Sequence, residues 1–357
     1  MALICGIIGL PLVGKTTLFN LLTRAEEETS AYVGRTKTNI RTASIPDPRL
    51  DFLANLYHPR KVTPATLEVI DVPGLTRGAG TAFLSAVREV DALIHVVRAF
   101  RNEAVLHVEG NLNPVRDLEM INAELLLADL QLVETRLERI AASKKVKSEV
   151  LAEREALQHC REALEAERPL LEADLADEEW QVLRHMGFLT TRPMIIVVNI
   201  DEEQLRTGHY GGEEEVAAYA AERGIPVLTL CAELEAEIAR LEPADREVFL
   251  QEMGIDEPGV ARLARAIYRR LGLISFLTAG EDEVRAWPIK EGTVARAAAG
   301  KIHSDIERGF IRAEVVNFND LARLGDMNKV KEKGLARLEG KEYIVQDGDI
   351  INFRFNV

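Results

Sequence analysis

Cysteine is scarce: the chain of 357 residues holds three, Cys5, Cys160 and Cys231, far apart. They form neither a metal-ligand spacing nor a disulfide framework, so a reducing compartment is expected and a zinc or iron–sulfur centre is not. Cys5 and Cys231 stand in apolar, strand-like stretches and read as core. Long apolar runs are missing too. None approaches the length of a membrane span, and the N-terminus enters a strand at once, so no signal or transit segment is expected. Cations are in deficit, 44 Lys+Arg against 58 Asp+Glu, a net charge of −14. That balance argues against a surface that coats nucleic acid. Glycine is absent between Gly110 and Gly187, which marks a helical region. What remains is a composition of 47% hydrophobic and 29% charged residues. It describes a globular chain long enough for two or three domains.

The most informative segment is Gly9-Leu10-Pro11-Leu12-Val13-Gly14-Lys15-Thr16. It fits G-x4-G-K-[ST], and its setting supports the match. Ala2 to Ile8 reads as a buried strand and Thr17 to Leu22 as the start of a helix. In that geometry the backbone N–H groups from Pro11, Leu12, Val13 and Gly14 to Lys15, Thr16 and Thr17 surround a phosphate, Lys15 reaches the β/γ-phosphates, and the Thr16 hydroxyl ligates Mg²⁺. The Pro11 position supplies no N–H of its own.

Two further segments complete the pattern. Leu67 to Gly74 reads as a strand ending in D-x-P-G, with Asp71 near Mg²⁺ and the Gly74 N–H near a γ-phosphate. Leu75 follows, where a GTPase often carries a Gln that orients the attacking water; leucine cannot do so. No side chain stands out as a general base, and the catalytic residues are left unassigned. Pro193 to Asn199 reads as another buried strand, followed by Ile200-Asp201-Glu202. A guanine-reading loop is N-K-x-D. Here Ile200 replaces the Lys and Glu202 the Asp, which removes the guanine code. Asn199, Ile200 and Glu202 are the candidate base-side residues, joined by Cys231, Ala232 and Glu233 after the last sheet strand, Ile225 to Leu230.

Residues 1–112 alternate strand-like and helix-like stretches, and residues 190–273 return to that pattern; together they read as one doubly wound α/β nucleotide-binding domain. Residues 113–189 read as an inserted antiparallel helical hairpin. Leu130, Val133, Leu137 and Ile140 mark one arm; Leu157, Cys160, Leu164, Leu171 and Leu175 mark the other; Ala142 to Ser148 lies between them. Residues 274–357 hold short strands, at Trp287-Pro288-Ile289, Ala313 to Val316, Tyr343 to Val345 and Ile350 to Phe353, with a small helix. From Ser275 onward the charges nearly balance, 13 Lys+Arg against 14 Asp+Glu, so this module repels a phosphate backbone least. It shows no RNA-reading aromatic pair.

These segments resemble the YchF/Obg-like ATPase family over nearly the whole length. The resemblance rests on Gly9 to Thr17, Pro46-Asp47-Pro48-Arg49-Leu50, Asp71 to Leu75, His95-Val96-Val97-Arg98 and Asn199 to Glu202. It continues through Thr278-Ala279-Gly280, Glu283 to Trp287, Gly300 to His303, Glu307 to Arg312 and Gly348 to Val357. It implies a P-loop domain with an inserted helical hairpin and a C-terminal β-grasp module of the TGS kind. It implies nucleotide hydrolysis with ATP preferred or tolerated, and association with ribosomes. The family belongs to the GTPases whose catalytic Gln is hydrophobic, which Leu75 fits. A cytoplasmic monomer with no membrane partner is expected.

Three departures bear on turnover. Leu12 stands where the family loop carries an Asn that in related GTPases helps hold a stimulating potassium ion. The stretch after Gly78 is about six residues short, a loop change such regions tolerate. The segment Tyr32 to Ile40 lacks the usual string, leaving Thr36 or Thr38 as the candidate second Mg²⁺-side hydroxyl. The readings that follow are a slow ATP-hydrolysing switch, a nucleotide-binding module with little or no turnover, and a conventional GTPase.

Overall fold

The structure, a computed structural model, describes residues 3–27, 40–75, 80–143 and 148–356. The candidate Mg²⁺ residues Thr36 and Thr38, and the hairpin tip Lys144 to Lys147, lie outside them. Among the described residues twelve strands form two six-stranded sheets. The first sheet takes β1 (Ile4–Ile8), β2 (Ile40–Ile45), β4 (Ala65–Asp71), β5 (Ala92–Arg98), β6 (Met194–Asn199) and β7 (Val227–Leu230) in the order β2-β4-β1-β5-β6-β7. The pairs β1–β4, β1–β5, β5–β6 and β6–β7 are parallel. Parallel strands covered on both faces need near-continuous apolar runs. β5 meets that demand fully, since all seven of its residues are buried. This is the doubly wound α/β fold read from the alternating pattern.

The inserted hairpin is present. Its first arm is the 28-residue helix Pro114–Ala141, started by Asn113, whose side chain accepts from the Arg116 N–H, with Pro114 in the first turn. The second arm is Ser148–Glu165. Val133, Ile140, Ala156, Leu157, Cys160 and Leu164 are buried along the seam. Arg136 crosses it with two 2.7 Å bonds to the buried Glu153. The second arm is shorter than its leucine spacing suggests. Glu167 turns to a φ of 56°, so Leu171 falls in a 3₁₀ turn and is 51% exposed.

The second sheet takes β3 (Lys61–Thr63), β8 (Leu273–Ala279), β9 (Glu283–Lys290), β10 (Phe310–Asn317), β11 (Arg337–Glu339) and β12 (Asp349–Phe355) in the order β11-β10-β12-β8-β9-β3. β8 and β9 form an antiparallel hairpin, and β12 lies parallel to β8. The helix Ala295–Ile302 presses Ala295, Ala298 and Ala299 onto Phe276, Val315 and Ile351. This is a β-grasp arrangement with one added edge strand. Tyr343 to Val345 is not a strand: only Ile344 makes an isolated bridge, to Val294. The segment instead turns so that the Tyr343 hydroxyl donates to the buried Asp349 at 2.8 Å.

By contacts the chain divides into two compact units. These units are divided differently from the expected domains in two places. The hairpin stays in the first unit, which holds Glu68–Leu263. Thr42–Leu67, expected in the nucleotide-binding part, groups with Ala264 onward. The reason is local. Asp47 caps the helix Pro48–Tyr57, Arg49 bonds both Asp47 (2.7 Å) and Asp347 (2.9 Å), Phe52 meets Phe318 edge-on at 5.4 Å, and β3 pairs with β9. The Pro46 to Leu50 string is therefore a docking element of the β-grasp unit.

Candidate functional site

The loop after β1 has the backbone a phosphate loop requires. Gly9 has a φ of 146° and Gly14 of 83°. A side chain at Gly9 would strike the Val96 carbonyl, and one at Gly14 the amide of Asn199. Leu12 also adopts a left-handed φ of 62° while its side chain is 57% exposed. Pro11 and Lys15 are half-buried, Val13 is buried, and Thr16 and Thr17 are exposed in the first turn of the helix Lys15–Glu27. First-turn N–H groups have no partner one turn earlier, so this end of the loop and helix offers donors to an anion.

Lys15, Thr16, Asp71 and Gly74 are brought together. The Lys15 ammonium donates to the Leu10 carbonyl at 3.3 Å. Burial lowers its pKa, and Asp71 partly opposes that. Thr16 Oγ1 donates to Asp71 Oδ2 at 2.6 Å. Asp71 Oδ1 is buried and has no hydrogen-bond partner among the described residues. Gly74 approaches so closely that a side chain there would lie 3.0 Å from the Lys15 ammonium and 3.1 Å from the Pro11 nitrogen. Leu75 is half-buried beside it.

The base-side residues divide. Asn199 is 4% exposed; its Nδ2 donates to the Val13 carbonyl and its Oδ1 accepts from the Ala232 N–H, both at 3.0 Å. It ties the phosphate loop to the segment after β7. Ile200 faces away from that junction. It is buried with Val97, Val198, Val216 and Leu234, and its N–H donates to the Leu230 carbonyl. One residue past β6, its side chain keeps the face of Ile196 and Val198 and packs in the core. Asp201 and Gln204 form a reciprocal capping box on the helix Glu202–Thr207. Glu202 is exposed in that helix's first turn. Cys231 and Ala232 are buried, and Glu233 is exposed. Burial raises the pKa of the Cys231 thiol, and the carboxylates of Glu202 and Glu233 add to the shift.

The sequence did not reveal what holds the loop after β5. Arg98 is 2% exposed. Its guanidinium stacks on Phe100 at 4.2 Å and donates to the carbonyls of Phe100, Asn102 and Val105. A basic residue closing an otherwise apolar strand was the available signal. Its neighbour His95 is wholly buried, its Nε2 has no partner among the described residues, and burial lowers its pKa to about 3.

The phosphate loop, D-x-P-G turn and Asn199 strut thus meet at the C-terminal ends of β1, β4 and β6, where open α/β sheets bind ligands. Fold and site define a P-loop nucleoside-triphosphate-binding protein of the GTPase class. Comparison with known proteins narrows this. A family model described as "50S ribosome-binding GTPase" matches residues 4–135. The YchF-GTPase C-terminal model, described as "Protein of unknown function (DUF933)", matches residues 273–356. The Ribosome-binding ATPase YchF of Bacillus subtilis is 45% identical over 100% of both chains. That of Escherichia coli O157:H7 is 43% identical over 99% of both. The solved structure of the Schizosaccharomyces pombe YchF GTPase superposes with a TM-score of 0.89 at 31% identity, covering 99% of this chain and 98% of that one. The chain belongs to the YchF family.

Proposed function

We propose that this protein is a slow ATP-hydrolysing switch that associates with ribosomes in the cytoplasm and works as a monomer. The observation that carries the nucleotide part is the convergence of Lys15, Thr16, Asp71 and Gly74 at one loop. The Bacillus and Escherichia relatives are named as ribosome-binding ATPases, which supports the partner and the nucleotide. Among the described residues no helix is long and apolar enough to cross a membrane.

Lys15, with Leu12, Val13, Gly14, Thr16 and Thr17, holds the phosphates, and Gly74 meets the terminal one. The residues also suit Mg²⁺. A hydroxyl beside a carboxylate with one unpartnered buried oxygen is a hard donor set. Mg²⁺ when bound neutralises charge on the transferring phosphoryl group. Thr16 and Asp71 would hold it, and Thr36 or Thr38 would add a further hydroxyl. Glu202, Ala232 and Glu233 border the base, while Asn199 fixes their distance from the phosphate loop. Without the guanine code, ATP is bound at least as well as GTP. Leu75 offers water no hydrogen bond, so turnover is slow.

The first unit is the nucleotide-binding module with its helical hairpin, and the β-grasp unit is a partner-binding TGS module. Leu75 and Leu12 also favour a second reading, nucleotide binding with no turnover. Steady-state hydrolysis of ATP and GTP, with and without ribosomes, tests both. ATP turnover that rises with ribosomes supports the switch; ATP binding without turnover in either condition supports the second reading. Turnover of GTP alone restores a conventional GTPase.

A further inference from the structure

The β-grasp sheet contains an open seam. The register places Ile350 of β12 opposite Leu277 of β8. β8 then ends at Ala279, and the chain turns through Gly280, Glu281 and Asp282 into β9. β12 runs on to Phe355. On its other side β12 stays paired, with Phe353 opposite Ala313 and Phe355 opposite Phe310 of β10. Beyond Asn352, therefore, one edge of β12 has no neighbouring strand among the described residues. Backbone groups along such an edge point outward unpaired, and an extended chain can add to them.

The cavity at this place supports the same conclusion. It measures about 560 Å³ and is lined by residues of both faces of β12. Ile351, Phe353 and Phe355 come from one face; Ile350 and Asn352 come from the other. Alternate residues of a strand lie on opposite faces. Together with Thr278, Ala279 and Gly280 at the end of β8, these residues put the cavity at the strand's edge. Ile302 and Ile306 wall it on the helix side, and Phe355 is 46% exposed.

Charge decides between occupants. Glu281, Asp282, Glu283 and Glu314 line the cavity against one cation, Lys331. Glu314 is held by Lys331 at 3.1 Å and Arg354 at 3.3 Å. Glu283 bonds Thr63 at 2.5 Å and meets Lys61 at 3.6 Å. Asp282 meets Arg60 at 3.4 Å with both side chains about 90% exposed, a pair that water and salt weaken. Glu281 stands exposed beside it. The turn facing the open edge thus presents carboxylates, which repel a nucleic-acid backbone and attract Lys and Arg.

We propose that this seam is a docking site for an extended, basic segment of a partner protein, which adds as a strand to the β12 edge at Phe353–Phe355. Its backbone pairs with β12, alternate apolar side chains enter between Ile302, Ile306 and Phe355, and its cations face Glu281 and Asp282. This goes beyond the nucleotide reading and stands apart from it, since none of these residues belongs to the phosphate loop.

The test uses the full chain and a fluorescein-labelled peptide of alternating lysine and valine. The same peptide with glutamate for lysine, and a single-stranded oligouridylate, serve as comparators. The lysine peptide alone is expected to bind and to slow amide exchange at Phe353–Phe355. The double variant Glu281→Lys with Asp282→Lys, both exposed, should weaken it about tenfold while ATP turnover stays at the wild-type rate. The proposal is overturned if the lysine peptide does not bind or if those amides stay unprotected. Unchanged affinity in the double variant, or displacement of the peptide by the oligouridylate, also overturns it.

Discussion

Asn199 Nδ2 donates to the carbonyl of Val13 at 3.0 Å, joining residues 186 positions apart. The same amide fills the space that a side chain at Gly14 would need. The third nucleotide motif is therefore built into the first, and the Ala232 N–H completes the tie. Asn199→Ala leaves a buried carbonyl and a buried N–H unpaired, each worth about 1–3 kcal/mol. Chemical denaturation should show a loss of that order, with weaker nucleotide binding by calorimetry. A variant as stable as wild type would show that water replaces the amide at no cost.

Ile200 marks the difference between a motif and its geometry. The aligned position in a guanine-reading loop is a lysine, so Ile200→Lys looks like a step toward GTP specificity. The structure buries Ile200 at 4% exposure in the sheet's apolar core. A charge there would stand among apolar side chains, and Ile200→Lys should destabilise by about 3 kcal/mol or more. Glu202→Asp, at an exposed position, should leave stability unchanged. Thermal unfolding of the two variants checks the contrast.

Much of this was legible before any coordinates. Fixed spacings and apolar runs placed Lys15, Thr16, Asp71 and Gly74, because a phosphate loop is a local device between a strand and a helix. The helical hairpin followed from Leu and Ala periodicity. Long-range pairings were not legible. Nothing local tells that Arg49 reaches Asp347 or that β3 joins β9, so residues 42–67 read as part of the nucleotide domain. Leu171 shares the spacing of a helical stripe, yet the chain has already turned at Glu167. Arg98 looked like the end of a signature string, and only its three carbonyl partners show that it shapes a loop.

Leu12 holds a left-handed backbone that costs an L-residue roughly 1–2 kcal/mol. Its side chain is mostly in solvent, so little packing offsets the strain. Asn tolerates this conformation, and Leu12→Asn should raise unfolding free energy by up to about 1 kcal/mol. Leucine also brings no oxygen to the phosphate loop. Hydrolysis by the wild type should respond little to potassium in place of sodium, whereas Leu12→Asn should create a potassium response. A strong potassium effect on the wild type would place the cation's oxygens elsewhere.

His95 gives the fold an acid-side dependence. Burial holds its pKa near 3, against an ordinary value of 6.5, so the unfolded chain binds a proton that the folded chain refuses. Its neutral form therefore supports full stability above about pH 6.5, and stability falls as pH drops toward 3. Denaturation midpoints between those limits should fall less steeply for His95→Leu than for the wild type. Equal slopes would show that other groups set the acid limit.

The central claim is that the Lys15 loop binds a nucleoside triphosphate and that the loop after β6 does not select guanine. Calorimetric titration of the wild type and of Lys15→Ala with ATP and with GTP, at fixed Mg²⁺, tests it directly. The account predicts that wild type binds ATP at least as tightly as GTP, and that Lys15→Ala loses both while staying folded. Binding of GTP about tenfold or more tightly than ATP, or unchanged affinity in Lys15→Ala, would contradict it.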